Sequence, residues 1–229
     1  ILSTINFLKS TSASSYNFEN MMRASTGSVG CERGGWSAKG WTEGRDVLII
    51  GAGPGTKRYI TALQQYVDRK KPIVLCLNIN DSVPQDMVTA YIACHEARML
   101  IESDKYPSLE KPLILPMSRV PDEIKSSLEN VDVYDYGLRV EESSFQIDGS
   151  GCVLGKPLAI SYAIAVATSA GASRILLAGV DGYDVSDPRQ QEMLELLDKY
   201  TEHEMVKPIL AITPTTYPVE QHSVYEAGL

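Results

Sequence analysis

The sequence predicts an α/β fold, a Rossmann-like three-layer sandwich on a mostly parallel sheet, and three observations carry that expectation. Short apolar runs of strand length alternate with longer stretches of helical period. The first such run passes directly into a glycine-rich turn, Gly51-Ala52-Gly53-Pro54-Gly55, which opens a helix. A later apolar run, Arg174 to Gly179, ends in the polar segment Val180-Asp181-Gly182-Tyr183-Asp184. Strands separated by helices need right-handed crossovers, so they lie parallel and their carboxyl ends share one edge of the sheet, where open α/β folds place ligands.

In chain order, Ile1, Ile5 and Leu8 fall at helical spacing, and Tyr16 to Met22 reads as a second short helix. Ser25 to Arg45 is rich in glycine, holds Trp36 and Trp41, and has no apolar period, as expected of a linker or loop with two aromatic anchors. Residues 1–45 are therefore expected to be a helical stub and linker from a preceding domain, and 46–229 the α/β domain. Within that domain Asp46 to Ile50 and Pro72 to Asn78 are continuous apolar strands flanking a helix from Arg58 to Arg69, one βαβ unit. Further strands are expected at Tyr91 to Cys94, Leu113 to Leu115, Val131 to Tyr134, Arg174 to Gly179 and Pro208 to Thr213. Helices are expected at Asp122 to Glu129, Leu158 to Ala170 and Arg189 to Glu202.

Composition narrows the function classes. A chain of 229 residues buries one generous core, and no apolar run approaches the roughly 20 residues of a membrane span. The net charge of −8 argues against sequence-independent nucleic-acid binding, which needs a positive surface. Cys31, Cys76, Cys94 and Cys152 form no Cys-x-x-Cys pair, which fits reduced thiols and a cytoplasmic setting. The chain begins at Ile1 without the basic start of a signal peptide, so a piece of a longer protein is expected.

The strongest local signal is Gly51, Gly53 and Gly55 followed by Thr56 and Lys57. At such a strand-to-helix turn free amides can meet a phosphate or carboxylate. Thr56 stands where the dinucleotide fingerprint has its last glycine, and the Walker spacing is absent, so a tight turn without ligand is the competing reading. Lys57 and Arg58 either add charge for phosphate or are solvated. Asn78 and Asn80, after the second strand, either hydrogen-bond a base or ribose or form an Asx turn. Gly155 and Lys156, in the run Gly149 to Pro157, read as a second amide-rich helix start or as a plain turn. Asp181 and Asp184 are candidate Mg²⁺ ligands against phosphates, with an Asp-Gly turn as the alternative. His95 is the best acid/base candidate; in a transferase, Asp181 and Asp184 would hold Mg²⁺ while His95 or Tyr183 assists proton movement, and no zinc-type spacing and no Gly-x-Ser-x-Gly elbow occurs.

Gly51-Ala-Gly-Pro54 and Gly179-Val-Asp-Gly-Tyr183 resemble the paired motifs of a Rossmann-like nucleotide-binding fold. That fold is shared by archaeal hydroxymethylpterin pyrophosphokinase-like proteins and bacterial lipooligosaccharide sialyltransferases; Gly55 stands where those families usually have serine. Over nearly the whole chain the sequence looks closer to the carboxyl-terminal domain of bacterial two-domain aldolases, whose amino-terminal half is a barrel of the hydroxymethylglutaryl-CoA lyase type. Gly44 to Gly55, Leu77-Asn78, Ala93-Cys94-His95, Leu177 to Tyr183 and Ile212 to Tyr217 carry that likeness. The resemblance implies a domain that binds a small phosphorylated or nucleotide ligand, with or without Mg²⁺, beside an aldolase barrel, in surface-polysaccharide sugar metabolism. A homo-oligomer would fit the same reading, as would a transferase or a structural module.

Overall fold

The computed structural model describes residues 33–226. The helices expected before residue 25, and Cys31, lie outside those residues. The chain forms an eight-stranded sheet, parallel throughout, with helices on both faces, the Rossmann-like sandwich the sequence predicts.

The first βαβ unit is strand β1 (Val47–Ile50), helix α1 (Pro54–Lys70) and strand β2 (Ile73–Leu77). All residues of both strands are buried, which is why they read as unbroken apolar runs. β3 (Ala90–Ile92), helix α2 (Glu96–Glu102), β4 (Leu113–Leu115) and β5 (Val133–Asp135) extend the sheet outward from β2. The chain then makes a second, smaller sheet from β6 (Gly137–Val140), β7 (Phe145–Asp148) and β8 (Gly151–Leu154). It returns through helix α3 (Ala159–Ser169) to β9 (Ile175–Ala178), which pairs with the free side of β1. Helix α4 (Pro188–Thr201), β10 (Ile209–Ala211) and the short β11 (Glu220–Gln221) complete that side.

The strand order β11-β10-β9-β1-β2-β3-β4-β5 puts the reversal between β1 and β9. Alternate residues of β1 face opposite cores: Val47 and Ile49 pack with α3 and α4, while Leu48 and Ile50 pack with α1 and α2. Helix α3 lies between the two sheets, and Ser161 through Ser169 are all buried. Its small residues, Ala163, Ala165 and Ala167, let both sheets approach, and an apolar surface on every side is what a fully enclosed helix requires.

Two expectations are corrected. The run from Gly149 to Pro157 is not an open helix start, because Gly151 to Leu154 form a fully buried strand and α3 begins only at Ala159. Asp148 and Gly151 pair across a two-residue hairpin turn, Gly149-Ser150, between β7 and β8. The helix expected at Asp122 to Glu129 is a 3-10 helix over Asp122–Leu128. The described part of the glycine-rich stretch is packed into the domain. Trp36 stacks on Tyr134 with centroids 4.8 Å apart, and buried Thr42 donates its hydroxyl to the Ala170 carbonyl at 2.9 Å. Gly34, Trp36 and Ala38 donate backbone N–H groups to Ser150, Asp135 and Gly149, tying the two sheets together.

Candidate functional site at the sheet reversal

In an open parallel sheet, the loops leaving two neighbouring strands in opposite directions bound a crevice at the strand ends, and this is where such folds bind ligands. Here those loops are the glycine turn after β1 and the Gly179 to Asp187 segment after β9. They lie unusually close. Gly51 N–H donates to Ala178 O, and Gly53 N–H donates to Gly179 O, both at 2.8 Å. Gly179 has φ of +63°, and a Cβ there would come 1.7 Å from Thr56 Oγ1, so glycine is required both by conformation and by space.

Asp181 closes the contact. Its Oδ2 accepts the Gly55 N–H at 2.6 Å, at the start of α1, where unpaired amides and the helix dipole favour negative charge. A Cβ at Gly53 would meet that same oxygen at 2.6 Å, and one at Gly55 would meet Oδ1 at 2.3 Å. The glycines at 53 and 55 thus make room for the carboxylate of this chain. Asp181 Oδ1 is buried and has no hydrogen-bond partner among the described residues. Thr56 N–H bonds to Gly53 O at 3.0 Å, and its hydroxyl donates to Gly51 O at 2.6 Å. Of the amides expected to be free for a phosphate, those of Gly53, Gly55 and Thr56 are therefore taken within the protein, whereas the Lys57 and Arg58 side chains stand exposed beside them.

The carboxyl edge carries other expected residues. Asn80 donates its amide to Gly51 O at 3.1 Å and accepts Ser82 N–H at 3.0 Å, so it forms an Asx turn and also braces the glycine turn. Asn78 adopts φ of +56°, a left-handed conformation that asparagine tolerates. His95 leaves β3 at the start of α2, with an imidazole held below the usual histidine pKa by burial first and then by the nearby charges of Arg119 and Arg98. It is a neutral base at neutral pH.

Asp184 has partners of its own. It is exposed and accepts Ser186 N–H at 3.0 Å and Ser186 Oγ–H at 2.7 Å, bonds that lower its pKa. The two expected metal carboxylates thus hold different partners, and no group of three or more His, Cys, Asp or Glu side chains able to hold a metal occurs among the described residues. Tyr183 is exposed, with the Arg189 guanidinium 4.0 Å from its ring centroid. Gly155 and Lys156 belong elsewhere. They line a cavity of about 560 Å³ against α4, where Lys156 pairs with Glu192 at 3.0 Å. Glu142, Glu195, Asp198 and Glu202 also face that cavity, an environment opposed to anion binding.

Sequence reasoning missed the supports from the loop after β10. Thr213 Oγ1 accepts Gly179 N–H at 2.9 Å, Thr215 donates its hydroxyl to Val180 O at 2.7 Å, and Thr216 N–H donates to Asp181 O at 2.9 Å. The signal was the polar run Thr213-Pro-Thr-Thr216 directly after an apolar strand. Glu102 was also missed: buried on α2, it accepts Ile79 N–H at 3.0 Å and fixes the loop that carries Asn80.

Comparison with protein-family models and with curated protein sequences finds no match to this chain. No helix among the described residues is long and apolar enough to cross a membrane.

Proposed function

We propose that the domain binds a nucleotide or nucleotide-sugar in the crevice between the ends of β1 and β9. The observation that carries this reading is Asp181 Oδ1, a carboxylate oxygen buried at the sheet reversal without a donor among the described residues. A buried acceptor left unpaired is costly, and a ribose or sugar hydroxyl, or a Mg²⁺ ion bearing phosphate, supplies the missing partner. Phosphate charge is met by the exposed Lys57 and Arg58 side chains rather than by the amides of Gly53, Gly55 and Thr56, which Gly179, Asp181 and Gly53 already engage. In this reading the domain serves a catalytic partner such as an aldolase barrel, in a cytoplasmic setting that suits the buried free thiols of Cys76, Cys94 and Cys152.

A second reading, a Mg²⁺-dependent pyrophosphoryl- or glycosyl-transferase, draws support from His95, whose neutral imidazole at the carboxyl edge can accept a proton from an attacking hydroxyl.

Thermal shift against CMP, CTP, ATP, UDP-sugars and CMP-sugars, with and without Mg²⁺, tests the binding reading. A ligand at a hundred times its Kd stabilises the native state by about 2.7 kcal/mol. Binding that Asp181→Ala abolishes supports the proposal. Product formation with a divalent-metal requirement favours the transferase, and the absence of any shift assigns the crevice a structural role.

A further inference from the structure

The amino-terminal edge of the sheet, opposite the crevice, holds a second cavity of about 550 Å³, within the usual range of small-molecule sites. Its lining is of two kinds. Trp41 and Tyr134 form an aromatic wall over Pro72, Val88 and Pro112, while Arg45, Lys71 and Lys111 bring positive charge.

The aromatic wall is rigid. Trp41 meets Tyr134 edge to face at 6.2 Å and 90°, and Trp36 backs both rings, edge to face with Trp41 at 5.5 Å and stacked on Tyr134 at 4.8 Å. Trp41 is pinned through its own N–H to Ala38 O at 2.9 Å and through the next residue, Thr42, to Ala170. Rings held this way lose little freedom when a flat ligand packs on them.

The charges are unevenly matched. Lys71 lies 3.8 Å from Asp68, also on the lining, whereas Arg45 and Lys111 have no carboxylate partner among the described residues. Asp86 is the remaining acidic group on the lining. Among the described residues Arg45 uses only its Nε, donated to the Thr42 carbonyl at 3.3 Å, which leaves the rest of its guanidinium for another acceptor.

We infer that this cavity is a binding site for a small flat aromatic anion, its ring against Trp41 and Tyr134 and its carboxylate or phosphate between Arg45 and Lys111. The site is separate from the crevice at the sheet reversal and does not depend on the nucleotide reading. Trp36 and Trp41 are the two tryptophans of the chain, so intrinsic fluorescence reports on this cavity.

The test titrates the 229-residue chain with phenyl phosphate, benzoate and, as a cationic counterpart, benzylamine, following tryptophan emission. The expected result is a saturable change with phenyl phosphate or benzoate and none with benzylamine; which anion binds more tightly identifies the preferred acid group. In the Arg45→Gln/Lys111→Gln double variant the anion's Kd rises about tenfold or more, the scale of a lost charge-assisted hydrogen bond, with an unchanged melting temperature. Trp41→Leu weakens binding and leaves Trp36 as reporter. No saturable response to either anion, equal binding of benzylamine, or wild-type affinity in the double variant overturns the inference.

Discussion

Gly55 donates its backbone N–H to Asp181 Oδ2 at 2.6 Å, a bond that joins positions 126 residues apart and seats a carboxylate of the chain at the start of α1. It holds the two loops of the sheet reversal together and explains why a side chain is excluded at Gly53 and Gly55.

That relationship predicts a rescue pattern. Gly55→Ala places its Cβ against the Asp181 carboxylate, which supplies its three nearest atoms, so it costs about 1–3 kcal/mol of stability in urea denaturation, and most of that loss disappears in an Asp181→Ala background. Gly53→Ala also meets the Gly179 carbonyl at 2.6 Å, which Asp181→Ala leaves in place, so its cost persists. Equal rescue at both positions would contradict this geometry.

The buried pair of Arg119 and Glu96, 2.5 Å apart with side chains 0% and 3% exposed, fixes α2 beside β4. Arg119→Met strands the carboxylate and is expected to cost about 3–5 kcal/mol, whereas Arg119→Met with Glu96→Leu recovers much of the loss. Burial raises the Glu96 pKa, with Arg119 opposing it, so the single variant is hurt most at neutral and alkaline pH. Denaturation curves at two pH values check both points.

His95 supplies a pH prediction. Its folded pKa lies below the 6.5 of a free imidazole, so in the interval between them the unfolded chain binds the extra proton, and the stability due to His95 is lost as pH falls below about 6.5. Burial raises the pKa of Glu96 and Glu102, which act in the opposite sense and grow less favourable as pH rises above about 4.5. The informative quantity is therefore the difference between wild type and His95→Asn. That difference shifts in favour of the variant on acidification from neutrality, as measured by urea denaturation; a constant difference would place the imidazole in contact with water.

The main sheet was legible because each of its central strands is a continuous apolar run bounded by turn residues. Leu113–Leu115 falls where the pattern puts it, and β1, β2 and β9 differ only at their ends. The smaller sheet was not, since the glycines at 149, 151 and 155 look like a phosphate loop until the partner strand Phe145–Asp148 is seen beside them. At the site, sequence located Gly53, Gly55 and Asp181 but not their bond. A helix start offering amides to a phosphate reads the same as one offering them to a carboxylate more than a hundred residues away.

The crevice at Asp181 is proposed to bind a nucleotide or nucleotide-sugar. Its most direct test is a titration of the ¹⁵N-labelled domain with the best ligand from the thermal-shift screen, read at the backbone amides of Gly53, Gly55, Thr56 and Asp181. Binding at Asp181 produces saturable shifts concentrated at these amides and at Lys57, lost in Asp181→Ala. Saturable binding that leaves them unmoved, or that survives Asp181→Ala at wild-type affinity, would contradict it.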